Sequence, residues 1–195
     1  MVHYYKELPE DYVVDKVIDA KDDLKVNVVF ILGTFLLFGI VFAFFLPYLI
    51  KNFPPLEERE DMYLACLCLM VGMFIYMVLH ELTHGIFYKI FTREKLTFGL
   101  TLTVAYCGVP NLYIKKIPAL VAAIAPFVVF SLVFGIPMFF ISNYWAFAAM
   151  ACMFSLHFSG CIGDLYCSIL LIFKYHGKDV VVNDTGPKQT FYVKK

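Results

Sequence analysis

The chain has 195 residues, 61% of them hydrophobic, and a formal net charge of zero. Soluble domains are typically about 45–50% apolar, so this composition excludes an ordinary soluble globular domain. The balanced charge excludes a basic nucleic-acid binder, and the expected partner is the lipid bilayer.

Charge is segregated along the chain. Four windows, 27–50, 62–91, 117–142 and 144–173, each exceed the roughly 20 residues that a membrane span needs. The first and third hold no Asp, Glu, Lys or Arg. The expected fold class is an all-α integral membrane protein, with four transmembrane helices and a small cytosolic β-strand or hairpin element. Residues 1–195 read as a single membrane-embedded domain.

Residues 1–25 mix acids with lysines and have no apolar core of their own, so no cleavable signal is expected and the first span stays as an anchor. The polar arm carries Tyr12, Val13, Val14, Val17 and Ile18. It either pairs as a strand against the cytosolic loop or lies at the membrane surface. Span one ends between Pro47 and Pro55, and the cluster Glu57, Glu58, Arg59, Glu60 and Asp61 beyond it reads as solvated surface.

Span two contains His80-Glu81-Leu82-Thr83-His84. Histidines four apart on a helix differ by about 40° around the axis, so both imidazoles reach one metal ion. Glu81, one step round, points at the water on the ion's open position. This is the H-E-x-x-H arrangement of zinc metalloproteases, with Glu as general base. Ionisable groups within a span each cost on the order of 2–3 kcal/mol or more, which favours use over accident. The bland alternative is three buried polar groups bonding one another. Lys89, near the cytosolic end, is expected to snorkel to the headgroups.

Residues 96–107 alternate apolar and polar side chains, rich in Thr and aromatics, and read as a strand that closes at the turn Gly108-Val109-Pro110-Asn111. Its edge either holds an extended substrate through main-chain hydrogen bonds or caps the bundle. In span three, Pro118 suits a first-turn position, and Pro126 is expected to kink the helix or widen a gap beside the site. Span four carries His157 and Asp164, flanked by Gly160 and Gly163, which permit close packing or a helix break. Residues 179–193 read as a cytosolic hairpin. The six cysteines lack the spacing of a disulfide or zinc-knuckle framework and read as small buried hydrophobes.

Lys and Arg number four before span one, five around the second loop and five after span four, against only Lys51 and Arg59 on the other side. The positive-inside rule then puts both termini in the cytoplasm.

A catalytic zinc wants three protein ligands and a water. Spans two and four run in the same direction. Leu82 lies nine residues before Phe91 and Asp164 nine before Phe173, whereas His157 lies sixteen before it, roughly 10 Å further out. Depth favours Asp164 as the third ligand. His157, seven residues earlier on the same face, is left as a catalytic candidate, either a partner to a ligand or a donor to the oxyanion.

The run His80-Glu81-Leu82-Thr83-His84-Gly85, the strand ending Ala105-Tyr106-Cys107-Gly108-Val109-Pro110, the pair Ala125-Pro126 and the pair Gly163-Asp164 together resemble the small bacterial four-span proteins described as putative zincin peptidases, a domain family of unknown function. The resemblance covers nearly the whole chain. More distantly the chain looks like site-2 protease intramembrane metalloproteases, although Asp164 is followed by Leu165 where those typically have an Asp-Gly pair. The resemblance implies Zn²⁺ held by His80, His84 and Asp164, Glu81 as base, and a peptide or membrane-protein substrate. The rival classes are a non-hydrolytic divalent-metal carrier or sensor using the same ligands, and a structural partner protein. An intact Glu81 argues against the last.

Overall fold

The computed structural model describes residues 3–55, 60–100 and 105–195. In chain order, β1 (Tyr4–Tyr5) and β2 (Tyr12–Asp19) precede α1 (Leu24–Lys51) and α2 (Glu60–Thr92). Next come β3 (Thr97–Leu100), β4 (Ala105–Gly108) and β5 (Tyr113–Lys115), which lead into α3 (Lys116–Met138). After α4 (Tyr144–Gly160) and α5 (Ile162–Ile169), a π-helical turn over Leu170–Lys174 leads to β6 (Val180–Asp184) and β7 (Lys188–Lys194).

The helix ends follow from local chemistry. Asp23 caps α1, its carboxylate accepting the backbone N–H groups of Lys25 and Val26 at 2.9 and 3.3 Å. Asn143 caps α4 by accepting the Ala146 N–H at 2.9 Å. At the end of α2, Arg93 takes a positive φ of 59°, and the Lys89 ammonium donates to the Arg93 and Glu94 carbonyls. Lys89 therefore stabilises the helix terminus, where a snorkelling role was expected.

By length and apolar composition, α1, α2 and α3 are each able to cross a membrane, while α4 and α5 qualify only together, as a pair bent by 43°. Phe35, Leu36 and Phe44 on α1 and Phe74 on α2 are largely exposed. Contiguous apolar surface of that kind is foreign to a soluble monomer. Of the two readings of Gly160 and Gly163, close packing or a helix break, the segment over 144–173 takes the break. The break falls at Gly160-Cys161, where glycine weakens the helix by about 1 kcal/mol relative to alanine. A Cβ at Gly160 would meet nothing within 4 Å, so the residue is not a packing notch.

The sheet is larger than the small hairpin expected, so the all-α class is also corrected. Five antiparallel strands pair in the order β1-β5-β6-β7-β2. The N-terminal arm does form strands: β1 pairs with β5 of the loop before α3, Tyr4 opposite Ile114, while β2 pairs with the C-terminal β7, Val13 opposite Val193 and Val17 opposite Thr190. Such long-range pairing leaves no trace in local periodicity. Val180, Val181 and Val182 of the central β6 are all buried, which explains a continuous apolar run in place of alternation. The sheet buries Ile114, Val180 and Phe191 against Tyr88 of α2, Ala122 of α3 and Leu171.

The expected strand over 96–107 is a separate two-stranded hairpin, with Phe98 opposite Cys107. Residues 101–104 of that expectation, and 56–59 of the acidic cluster, lie outside the described residues. The hairpin presses on α2 at Gly85, where an added Cβ would stand 2.9 Å from Phe98 and 3.3 Å from the Cys107 sulfur. Glycine after His84 thus lets β4 come close to the H-E-x-x-H turn.

Candidate metal centre

One turn of α2 and the start of α5 meet here. His80 and His84, four residues apart, project the same way from α2 and are both buried. The chain break after α4 starts a new helix at Ile162, whose first turn carries Asp164. The Asp164 carboxylate stands 3.2 Å from His80 Nε2 through one oxygen and 3.4 Å from His84 Nε2 through the other. The three residues that depth and spacing single out are therefore in mutual contact.

The other ring nitrogens determine which tautomers face Asp164. His84 Nδ1 lies 2.8 Å from the Ala122 carbonyl. A carbonyl only accepts, so Nδ1 carries the proton and Nε2 of the neutral ring carries the lone pair. That carbonyl is free for a specific reason. Its helical partner would be the N–H of residue 126, and residue 126 is proline, which has none. α3 continues as a helix through Pro126, and the proline leaves an acceptor free beside His84.

His80 is held differently. Its Nδ1 lies 3.1 Å from the Tyr76 hydroxyl, one turn earlier on α2. The same hydroxyl lies 3.0 Å from His157 Nδ1. His157 is completely buried, and its Nε2 stands 3.2 Å from the Phe127 carbonyl and 3.1 Å from the Ser131 hydroxyl. Both nitrogens of His157 are thus engaged by protein groups, and the ring sits behind His80, away from the cavity lining.

These contacts allow a test of fit for a metal. A tetrahedral centre with nitrogen and oxygen ligands at about 2.0–2.1 Å holds its ligand atoms about 3.3 Å apart. The observed separations are 3.2 and 3.4 Å. His80 and His84 aim Nε2 at the two oxygens of one carboxylate, and two neutral imidazoles with an ionised carboxylate would all offer lone pairs to a cation between them. Two imidazoles and one carboxylate suit zinc, and the residues present fit it.

Glu81 completes the cluster, with a carboxylate oxygen, a His80 nitrogen and a His84 nitrogen all within 4.8 Å of one another. Its carboxylate faces the backbone of Cys107 on β4. Sequence reasoning missed two members. Tyr76 lies four residues before His80, so the helical stripe 76–80–84 was available as a signal. Cys161 forms a second group with His80 and Asp164 whose candidate ligand atoms lie within 4.8 Å, although its spacing matches no metal motif.

A cavity of about 600 Å³ opens from these residues. Its walls are Phe30, Ile31 and Phe35 of α1 on one side, Met73 and Met77 of α2 on the other, and β4 along the sheet end. At that end Asp184 is buried, accepting the Tyr88 hydroxyl at 2.5 Å and the Gly186 N–H at 2.8 Å. Burial pushes its pKa up to about 6. Burial likewise pushes the Cys107 thiol up to about 12, so it stays protonated beside Glu81.

No curated protein and no solved structure matches this chain. One protein-family model does, over residues 73–177, more than half of the sequence. The matched stretch contains Tyr76, His80, Glu81, His84, Pro126, His157 and Asp164. The family is described as "Putative zincin peptidase", a zinc metallopeptidase assignment that agrees with the donor set of the site. By its sequence, the chain belongs to that family.

Proposed function

We propose that the protein is a zinc-dependent intramembrane metallopeptidase that hydrolyses peptide bonds in or near the membrane. The observation that carries this reading is the convergence of His80, His84 and Asp164 beside Glu81, at the wall of an apolar cavity. Four apolar helical segments and the excess of Lys and Arg beside the termini support a multi-pass protein with both termini in the cytoplasm.

His80, His84 and Asp164 would hold the metal. Bound zinc supplies a Lewis acid that brings the pKa of a water to about 7 and polarises a carbonyl. Glu81 takes the proton from the attacking water as the O–C bond forms at the scissile carbonyl, and delivers it to the leaving amine as the C–N bond breaks. The backbone of Cys107 on β4 lies beside the Glu81 carboxylate. Ala105, Tyr106 and Cys107 of β4 line the cavity, so an extended peptide is able to lie along that strand and bond to its main chain. The substrate is an unwound membrane-spanning or membrane-adjacent segment of a peptide or protein, matched to the aromatic and methionine walls. His157, with both nitrogens engaged, acts through Tyr76 and is not the oxyanion donor.

The test is cleavage of an apolar peptide by the detergent-purified, zinc-loaded protein. Glu81→Gln is expected to lower turnover by at least about 10²–10⁴-fold while keeping one zinc per chain. Turnover retained in that variant would overturn the base assignment. A second reading, a non-hydrolytic metal carrier or sensor, draws on Cys161. With His80, His84 and Asp164, a fourth protein ligand would close the coordination sphere and exclude the water. Stoichiometric zinc whose affinity falls in Cys161→Ser, without any cleavage by the native chain, favours that reading.

A further inference from the structure

The polar groups behind His80 form a series that ends on the Phe127 carbonyl and the Ser131 hydroxyl. The Phe127 carbonyl only accepts; with His157 Nε2, 3.2 Å away, as its donor, the Ser131 hydroxyl 3.1 Å from the same nitrogen accepts as well. Phe127, Phe130, Phe134, Phe154 and Phe158 surround the His157 ring, and such an apolar shell keeps it neutral. Its Nδ1 is then an acceptor, and the Tyr76 hydroxyl donates to it at 3.0 Å. A hydroxyl has one proton. Having donated it, the Tyr76 oxygen accepts at its contact with His80, whose Nδ1, 3.1 Å away, is the donor; the Cys161 thiol, 3.7 Å from His157 Nδ1, is only a weak hydrogen-bonding group. That leaves the His80 Nε2 lone pair facing Asp164.

From this order we infer that Tyr76 is the positioning residue for His80, and that His157 sets the orientation of the Tyr76 hydroxyl from a main-chain carbonyl of α3. The inference rests on the metallopeptidase reading, because a fixed lone pair on His80 matters only if a cation is bound there. It assigns His157, which depth separates from the motif, a role through one intermediate residue. The two metal histidines are oriented by different devices: a carbonyl freed by proline for His84, and a tyrosine held by a histidine for His80.

The test uses the full chain in detergent, with zinc affinity read by competition against a coloured chelator and with the visible ligand-field bands of the cobalt-loaded protein. Tyr76→Phe keeps the ring against Phe130 and Phe134 and removes only the hydroxyl. It is expected to weaken zinc binding about 10–100-fold, as loss of a group bonded to a ligating histidine does, and to shift the cobalt bands. His157→Phe fills the ring's volume but accepts no hydrogen bond. It is expected to weaken binding as well, and the double variant is expected to be no worse than Tyr76→Phe alone, since both act through one contact. Native affinity together with a native cobalt spectrum in Tyr76→Phe overturns the inference. So do fully multiplicative effects in the double variant, which would make the two residues independent. Should His157→Phe fail to fold, Tyr76→Phe decides alone. A native chain that takes up no zinc strikes the metallopeptidase reading itself, an outcome distinct from either of these.

Discussion

Replacing Pro126 with alanine separates metal-site geometry from helix stability. The substitution restores an N–H at position 126, which turns towards the Ala122 carbonyl now accepting from His84 at 2.8 Å. Loss of a partner to a ligating histidine weakens metal binding about 10–100-fold, or roughly 1.4–2.7 kcal/mol. A carbonyl has two lone pairs, so the His84 contact is shared and weakened without being abolished. The lower end, about tenfold, is therefore expected. Alanine is also the better helix former, so the metal-free protein should not melt earlier. The assay is zinc competition in detergent, paired with melting curves recorded in excess chelator. Pro137→Ala is the control: it makes the same backbone change further along α3, where residue 133 supplies the freed carbonyl. Its zinc affinity should equal that of the native chain. Unchanged affinity in Pro126→Ala, or an equal loss in Pro137→Ala, would refute the account of how His84 is oriented.

Asp164→Asn removes the charge but keeps the shape between His80 and His84, and is expected to lower zinc content well below one per chain by elemental analysis; full occupancy would dismiss Asp164 as a ligand. Asp184 provides a pH dependence. Its folded pKa, about 6, lies above the usual carboxylate value of 3.8, so the protonated form favours the fold. Its contribution is fully present below about pH 4 and is lost as the pH rises through about 6, on the order of 3 kcal/mol in all. Melting temperature should fall over that window in the native protein, and the fall should be smaller in Asp184→Asn; parallel curves would show that another group titrates.

Local pattern carried much of this protein. Long charge-free windows reveal apolar helices because a hydrocarbon environment tolerates few alternatives. The interval from histidine to histidine places two imidazoles on one helical face whatever surrounds them, and equal counting from two span ends brought Asp164 to their level. Tertiary structure decided what pairs across the fold. The N-terminal arm finds β7, and β5 finds β6, through hydrogen bonds between segments that share no local signal. The bend at Gly160-Cys161 is one of two readings open for the glycine, and the folded chain takes it. The outer nitrogens of His80 and His84 find partners brought from another helix, the Ala122 carbonyl directly and the Phe127 carbonyl through Tyr76 and His157. Sequence by itself determined which groups are available for chemistry, because residue type and helical spacing are local. Their protonation and aim are set by partners distant in the chain, so only the folded arrangement decided them.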